Sequence, residues 1–334
     1  MPSNKPVPSQ TTKSPDQDHV DQDCISAGQQ PLIVILGPTA VGKTEIAIQL
    51  ANKLNGEIIS ADSTLIYRGM DIGTAKPSAQ QREQIPHYLI DVTDPDQTWS
   101  LTLYQRAAQR VIKDIQARGR LPFLVGGTGQ YIHAVVYDWQ IPKIKPDKKL
   151  RQALEDWSSE IGSEGLHTRL SALDPKAAAK IDFRNTRRTI RALEVIFRSG
   201  RRFSDQRLSG RAPYCTIQIG INLPRPELYA RIDQRIDAMI SAGFIEEVNT
   251  LLSKGYPADL PAFSAIGYKE LINYLQGEIS LDEAVTMIKR RTRQFVRRQA
   301  NWFKDTDPQI QWFLGDGDAV ERILSLLCCK LQLD

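Results

Sequence analysis

"GPTAVGKT", residues 37–44, follows a continuous apolar run that ends at Leu36. Its glycines, lysine and threonine have the spacing G-x-x-x-x-G-K-[ST] of a phosphate-binding loop. In such a loop backbone N–H groups point inward at a phosphate, and the positive end of the following helix faces the same anion. Residues 43–54 carry apolar side chains at helical spacing, so the loop joins a strand to a helix. The loop indicates a ligand with linked phosphates but does not specify the rest of that ligand.

Strand-like and helix-like segments alternate along much of the chain. Apolar stretches typical of strands occur at 32–36, 57–63, 87–92, 121–129 and 214–223. Helical periodicity separates them. This alternation predicts an α/β fold with a P-loop NTPase-like parallel sheet core flanked by helices. Ligands of such folds bind at the carboxyl ends of the strands, which is where the phosphate loop would lie.

The composition divides the chain into three parts. Residues 1–29 are rich in Pro, Ser, Gln and Asp and lack an apolar stretch, which predicts a disordered N-terminal tail. Residues 139–207 open with a polar linker and then show only helical periodicity, so we expect a helical insertion domain. The P-loop core would comprise residues 30–138 and 208–334. Its later helices are predicted near 227–254 and 281–304.

Several protein classes are excluded by the composition. No apolar run approaches the roughly 18 residues of a membrane-spanning helix, and the start of the chain does not resemble a secretory signal. We therefore expect a cytoplasmic protein without a membrane partner. The four cysteines and four histidines show no metal-ligand spacing, which argues against a zinc site.

Basic residues are concentrated in two stretches. "RNTRRTIRALEVIFRSGRR" (184–202) contains one acidic residue, and "KRRTRQFVRRQANWFK" (289–304) contains none. Around the second stretch apolar residues recur every seven positions, at Leu281, Ile288, Phe295 and Trp302, which predicts the buried stripe of a helix. A single basic run is usually a solvated helix face. Two such runs in a chain whose net charge is only +4 favour a binding track for a polyanion such as a nucleic acid.

Asp62 ends the second predicted strand, beside the phosphate loop in a parallel sheet. A carboxylate there could hold Mg²⁺ or act as a general base, although an Asp at this place is also common in turns. Lys43 would reach the outer phosphate, and the Thr44 hydroxyl would hold Mg²⁺. These residues leave three classes open: a nucleotide kinase, a nucleic-acid-dependent NTPase, and a transferase that moves a group from a diphosphate donor to a nucleic acid.

Six motifs together resemble the bacterial tRNA dimethylallyltransferases, also called tRNA isopentenyltransferases. The resemblance covers roughly residues 31 to 314. Its most distinctive block is "DSTLIYRGMDIGTAKP" (62–77). In chain order the motifs are "GPTAVGKT" (37–44), that block, "GGTGQY" (126–131), "RALEV" (191–195), "IGYKE" (266–270) and "TRQFVRRQANWFK" (292–304).

The resemblance implies transfer of a dimethylallyl group from dimethylallyl diphosphate to N6 of the adenine 3′-adjacent to the anticodon (adenine-37). The tRNAs would be those that read codons starting with U. It also implies that Mg²⁺ is held by Thr44, that Asp62 is the general base and that Arg235 clamps the diphosphate, with Arg231 as a rival. The loop residues that would bind the diphosphate are Gly37, Pro38, Thr39, Ala40, Val41, Gly42, Lys43 and Thr44.

The second implied partner is the tRNA anticodon stem-loop. The helical insertion and the last basic helix would grip it, and the reacting base would flip out of the RNA into a channel. We expect the enzyme to be a monomer. The positions that match tRNA contacts in the family are Asp62, Ser63, Thr64, Leu65, Thr128, Arg151, Arg187, Arg188, Thr189, Ile190, Arg191, Ser264, Ala265, Ile266, Gly267, Tyr268 and Lys269.

Two departures from the family pattern and three alternatives remain. Gln130 stands where the family usually has Leu, and Ser264 stands where some members carry a basic residue. An adenylate isopentenyltransferase or a small-molecule P-loop kinase would share the loop but would not need two basic runs. A non-catalytic RNA-binding protein would not need an intact set of Lys43, Thr44 and Asp62.

Overall fold

The structure is a computed structural model that describes residues 29–142, 147–206 and 212–333. Apart from Gln29, the predicted tail lies outside the described residues. The same holds for part of the predicted linker, at 143–146, and for part of the basic loop after the insertion, at 207–211.

Six parallel strands form one sheet in the order β3-β2-β4-β1-β5-β6. This topology confirms the predicted α/β fold with a parallel sheet. The strands are β1 (Pro31–Leu36), β2 (Gly56–Ser60), β3 (His87–Tyr88), β4 (Leu121–Gly126), β5 (Cys215–Asn222) and β6 (Ile310–Leu314).

The register of the sheet brings three chain turns to one edge. Leu36 at the end of β1 pairs with Gly126 of β4 and with Gly220 of β5. On the other side of β4, Ser60 of β2 pairs with Val125. The chain therefore leaves β1, β2 and β4 at neighbouring points, and the loops that follow these strands form the floor of the candidate site.

Helices cover both faces of the sheet, because β1 is apolar on both sides. Ile33 and Ile35 pack into a cluster with α1 and α8–α12, whereas Leu32, Val34 and Leu36 pack against α3 and α4. No helix within the described ranges is both long and apolar enough to cross a membrane. The core helices are α1 (Lys43–Lys53), α2 (Ala79–Gln84), α3 (Leu101–Ala117), α4 (Gly129–Val136), α8 (Arg225–Ser241), α9 (Phe244–Ser253), α10 (Tyr268–Leu275), α11 (Leu281–Ala300) and α12 (Ala319–Leu331).

The region between β4 and β5 contains a helical unit with its own apolar cluster. Its helices are α5 (Lys148–Leu173), α6 (Pro175–Ala178) and α7 (Thr186–Ser199). The cluster includes Leu154, Leu170 and Leu193, all of which are buried, and it is separate from the two clusters that flank the sheet. A left-handed backbone at Gly162 interrupts α5.

Three predicted elements have different limits in the structure. The helix predicted near 227–254 is two helices, because Gly243 adopts φ 98° and redirects the chain between α8 and α9. The helix predicted to end at Lys304 ends at Ala300, where the chain turns and buries Phe303 beside α4. The strand predicted at 87–92 has only two residues, since Leu89 and Asp91 have positive φ values that no strand allows.

The last strand and the last helix were not predicted. In β6 only Ile310 is buried, so this edge strand lacks the continuous apolar run that identifies the inner strands. α12 packs Ile323 and Leu327 on the layer that contains α1. Neither segment carries a motif.

The end of β2 is tied to the helical layer by one buried hydroxyl. Tyr104 of α3 is fully buried, and its hydroxyl donates to the Ser60 carbonyl oxygen at 2.9 Å. Its ring stacks on that of Tyr131 from α4 with 3.7 Å between centroids. This contact fixes the strand end two residues before Asp62.

We expect Tyr104→Phe to lower the free energy of unfolding by about 1–2 kcal/mol, because the buried Ser60 carbonyl loses its partner. Urea denaturation measures the change. Tyr274→Phe is the matched control, since no described residue bonds to the Tyr274 hydroxyl, and it should change the value by less than about 0.5 kcal/mol. Equal effects of the two variants would contradict a specific role for the Tyr104 hydroxyl.

Candidate active site

A cavity of about 430 Å³ lies beyond the carboxyl edge of the sheet. Its walls come from the phosphate loop, the turn after β2, helices α8 and α11, and the short segment 261–266. Polar lining side chains include Thr39, Asp62, Thr64, Arg235, Thr292 and Arg298. Apolar lining side chains include Ile232, Ile236, Met239, Phe244, Ile288 and Phe295. The cavity therefore combines charged groups with an apolar wall.

The phosphate loop has the geometry that its sequence predicts. Gly37 has φ 141°, and a Cβ there would overlap the Ile221 carbonyl oxygen of β5. Ala40 and Gly42 are left-handed, at φ 66° and 90°. Left-handed residues between right-handed ones turn successive N–H groups toward one concave side, which is the arrangement that binds anions. The exposed Thr44 lies in the first turn of α1, where its hydroxyl is accessible.

Lys43 is folded back on its own loop. Its Nζ donates to the Pro38 carbonyl oxygen at 2.6 Å. Burial lowers the pKa of Lys43 to about 8, and the neighbouring carboxylate of Asp62 opposes this change. Burial also lowers the pKa of Arg235, again against the effect of Asp62. Two cations thus interact with one carboxylate, and the net positive charge favours an anionic ligand.

The structure separates the two arginines that the sequence left as rivals. Arg235 lines the cavity, and its Nη1 donates to the Thr39 hydroxyl of the phosphate loop at 3.3 Å. Arg231 pairs instead with Glu227 one turn earlier on α8, at 2.9 Å, and does not line the cavity. The position of Arg235 makes it the better placed of the two to reach a ligand in the loop.

Asp62 lines the cavity, and one of its carboxylate oxygens is held by hydrogen bonds. Its Oδ1 accepts from the Thr64 N–H at 2.9 Å and from the Thr64 hydroxyl at 2.7 Å. No described residue donates a hydrogen bond to Oδ2. The carboxylate is therefore held by one oxygen, and the other can accept a proton from a substrate group.

The turn after β2 is fixed by the turn after β4. The Thr128 hydroxyl accepts from the Ser63 N–H at 3.1 Å, and the Thr128 N–H donates to the Ala61 carbonyl oxygen at 3.1 Å. A Cβ at Gly126 would overlap that same carbonyl, so "GGTG" allows the two turns to touch. Thr128 does not line the cavity; its contacts position the segment that carries Asp62.

Glu247 of α9 orders the loop that contributes Gly73 and Thr74 to the cavity wall. Its Oε2 accepts from the N–H groups of Asp71 and Ile72 at 2.8 and 2.6 Å. Its Oε1 accepts from the Gly73 N–H at 3.2 Å and from the Tyr268 hydroxyl at 2.7 Å. Burial beside this carboxylate raises the pKa of Tyr268. The distinctive block 62–77 is thus shaped by a residue far along the chain.

The predicted tRNA-contacting positions divide by exposure. Arg187, Ser264 and Lys269 are exposed, and Leu65 and Arg188 are half-buried. Ala265 and Ile266 line the cavity together with Asp62, Ser63 and Thr64. The buried positions in the segments 187–191 and 264–269 are Thr189, Ile190, Gly267 and Tyr268. The buried side chains of Thr189, Ile190 and Tyr268 shape the segments from inside.

Two of the predicted contact arginines converge on one buried acid. Glu194 of α7 is fully buried and accepts from Arg151 Nε and Nη2 at 3.0 and 2.9 Å. It also accepts from Arg191 Nη1 at 2.6 Å and from the Asp147 N–H at 2.8 Å. Paired with Arg151 and Arg191, this acid fixes their orientation at the surface of the helical unit.

Ion pairs neutralise part of the basic run on α11. Arg293 and Lys289 pair with Asp233 and Asp237 of α8, and Arg291 pairs with Glu270. Within the described residues Arg290, Arg297 and Arg298 have no acidic partner. Only this smaller set of arginines from the run can offer its full charge to a polyanion.

Some residues of the site were not singled out from the sequence. Arg298 and Phe295 line the cavity, and Gln299 next to them bonds to the phosphate loop and to the turn after β4. The seven-residue spacing predicts Phe295 as a buried residue, whereas it is half-buried and faces the cavity. The sequence signal that could have identified Phe295 as a cavity residue was its position between Arg293 and Arg297.

Comparisons with known proteins place the chain in a family. A sequence profile of the IPP transferase family matches residues 65–306. A protein named tRNA dimethylallyltransferase from Roseiflexus sp. (strain RS-1) is 53% identical over 274 residues, covering 82% of this chain and 90% of the relative. A protein of the same name from Geobacillus thermodenitrificans is 46% identical over 312 residues, covering 91% of this chain and 98% of the relative.

Solved structures agree with this assignment. The full-length tRNA isopentenylpyrophosphate transferase from Bacillus halodurans has 42% identity and a TM-score of 0.69, covering 91% of this chain and 97% of that one. A eukaryotic dimethylallyltransferase acting on tRNA has 27% identity and a TM-score of 0.73, covering 91% and 77% of the two chains. The sequence matches and the shared fold thus agree, and the chain belongs to the IPP transferase family.

Proposed function

We propose that this protein is a tRNA dimethylallyltransferase that uses dimethylallyl diphosphate as donor and N6 of adenine-37, next to the anticodon, as acceptor. The observation that carries the proposal is the cavity itself. Lys43 of the phosphate loop and the Asp62 carboxylate interact electrostatically, and Asp62 and Arg235 line one space with apolar walls. The names of the relatives, which cover most of this chain, support the same reaction.

The donor fits the phosphate loop and the apolar wall together. Loop N–H groups, Lys43 and Arg235 would bind the diphosphate, while Ile232, Ile236 and Met239 would surround the hydrocarbon group. Thr44 is exposed in the first turn of α1, so its hydroxyl fits a Mg²⁺ ion that the diphosphate and water would also hold, an arrangement that Mg²⁺ favours. When bound, it would neutralise charge on the leaving diphosphate.

The transfer step can be balanced with the residues present. The C1–O bond of the donor breaks, its electron pair leaves with the diphosphate, and the N6 lone pair forms the new C–N bond. The adenine amine is a weak nucleophile, because its lone pair is delocalised into the ring. Asp62 Oδ2 would take the N6 proton as the bond forms. Lys43, Arg235 and the loop would stabilise the charge that develops on the diphosphate.

The acceptor adenine would have to leave the RNA stack to reach this cavity. A base inside a stacked loop cannot bring N6 to a carboxylate in a protein cavity, so we infer base flipping. The exposed Arg187 and Arg290 and their neighbours would hold phosphates of the anticodon stem-loop. The choice of tRNAs that read codons starting with U, a monomeric enzyme and a cytoplasmic location belong to the same proposal.

Single-turnover transfer from radiolabelled dimethylallyl diphosphate tests this function. Three acceptors are compared: an anticodon stem-loop with the target adenine, the same RNA with guanine at that position, and AMP. Label on the first RNA alone is the expected result. Label on AMP would identify an adenylate isopentenyltransferase, label on the guanine RNA would contradict N6 as the acceptor, and no label on any of the three would contradict the donor.

We expect Asp62→Asn to lower the single-turnover rate by about 100- to 10,000-fold, because the N6 proton loses its acceptor. RNA affinity should change by less than about twofold, since the variant keeps the size and the contacts of the side chain. Asp96→Asn, an exposed position of the same edge, is the control for lost charge. A wild-type rate in Asp62→Asn would remove Asp62 as the base.

The pKa of Lys43 predicts a pH dependence of donor binding. This pKa is about 8, and a bound diphosphate would raise it because opposite charges favour the protonated amine. The bound state then holds more protons, so affinity falls as pH rises above about 8. We expect Lys43→Met to bind inorganic diphosphate about tenfold or more weakly at neutral pH.

Isothermal titration calorimetry between about pH 7 and 9.5 makes the comparison. Titration of the diphosphate itself affects both proteins equally, so the ratio of their affinities isolates Lys43. The ratio should shrink as pH rises through about 8. A ratio that stays constant over this range would show that Lys43 does not contribute its charge.

A further inference from the structure

Gln299 in the last turn of α11 connects two loops of the active site. Its side chain is buried, with 3% of its surface exposed. Oε1 accepts from the Thr39 N–H at 3.0 Å, and Nε2 donates to the Gly127 carbonyl oxygen at 2.9 Å. Both polar atoms of the amide are therefore used. Gln299 does not line the cavity, so it acts on the site only through these two loops.

The two loops leave adjacent strands of the sheet, and Gln299 fills the gap between them. A Cβ at Gly127 would overlap Gln299 Nε2, so the glycine makes room for the amide. On its other side Thr39 is held by Arg235, which donates to the Thr39 hydroxyl. The backbone of Thr39 is thus fixed by Gln299 and its side chain by Arg235.

This contact assigns one loop N–H to a protein partner before any ligand arrives. A phosphate loop binds anions through N–H groups that point inward without a partner. Thr39 differs, because its N–H already donates to Gln299. Without the Gln299 amide, the Thr39 N–H and the Gly127 carbonyl would lose these hydrogen bonds. The loop would then populate several conformations in place of one. Binding would then require the loop to be ordered anew.

We propose that Gln299 is a positioning residue for the transfer reaction, which fixes the diphosphate loop against the glycine turn so that its remaining N–H groups face the ligand site in advance. The inference rests on the proposed function, because it takes a diphosphate as the ligand of the loop. Gln299 would thus contribute to the proposed function without contacting the donor or the RNA. It also makes Thr39 the loop residue whose N–H does not bind phosphate.

Gln299→Met tests the proposal, because methionine has a similar length and no amide. Gln294→Met is the matched control, since Gln294 is exposed on the same helix. The affinity for inorganic diphosphate with Mg²⁺ is measured by calorimetry, and the affinity for the anticodon stem-loop by filter binding. We expect Gln299→Met to weaken diphosphate binding about tenfold, with RNA affinity within about twofold of wild type. Gln294→Met should match the wild type in both.

The outcomes separate this inference from the function on which it rests. A folded Gln299→Met protein with wild-type diphosphate affinity would overturn the role of Gln299 and leave the proposed function intact. Equal losses of diphosphate and RNA affinity would also overturn it, because they would reveal a general structural effect. A wild-type protein that does not bind diphosphate would overturn both the inference and the assignment of the loop.

Amide hydrogen exchange of the wild-type protein gives a second test that needs no variant. The Thr39 amide should exchange slowly in the ligand-free protein, and diphosphate should change its rate little. The Gly42 and Lys43 amides should become protected only when diphosphate binds. Fast exchange at Thr39 without ligand, followed by protection on binding, would make its N–H a phosphate ligand and would overturn the proposal.

Discussion

The close approach of the turns at the carboxyl ends of β1, β2 and β4 is the constraint on which the active site depends. A side chain at Gly37 would strike the backbone of β5, and one at Gly126 would strike the backbone after β2. Because both positions lack a Cβ, the phosphate loop and the Asp62 turn lie near enough for the Asp62 carboxylate to raise the pKa of Lys43 against the effect of burial. A wider edge would separate the anion-binding loop from the carboxylate.

The chemistry of the cavity follows from charge in a partly apolar space. Burial removes solvation from Lys43 in its loop and from Arg235 in the cavity wall, and Asp62 restores part of the lost stabilisation. A leaving group that gains negative charge is stabilised more strongly beside desolvated cations than in water. The apolar wall near these cations would also contact the hydrocarbon group of the proposed donor. In the proposed reaction, binding and chemistry would thus both depend on the burial of these two cations near an apolar wall.

Local patterns in the sequence predicted the fold and part of the site. The apolar run before Gly37 and the spacing up to Thr44 sufficed for the central strand, the loop and the helix α1, because each is specified by neighbouring residues. Strands buried on both faces were found in the same way, whereas the half-exposed β6 was not. The break at Gly243 was missed, since a glycine in a long periodic stretch does not by itself reveal a positive φ.

The residues that hold the site together could not be predicted, because their partners are distant in sequence. Gln299 bonds to Thr39 and Gly127, and Glu247 bonds to the loop at residues 71–73. A glutamine or glutamate on a helix gives no local sign of such partners. Likewise, pairing with α8 removes Arg293 from the charge that the basic run offers, and no pattern within that run shows it.

The apolar wall of the cavity is built from helices, whereas the reactive groups are concentrated at the sheet edge. Met239 of α8 is half-buried and lines the cavity, and it belongs to neither the phosphate loop nor the turn that carries Asp62. Volume can therefore be removed from this wall without altering the glycine contacts that hold the edge together. For protein engineers the proposed function would let the choice of prenyl group change at Met239, while the phosphate loop, the Asp62 turn and Arg235 on the same helix stay unchanged.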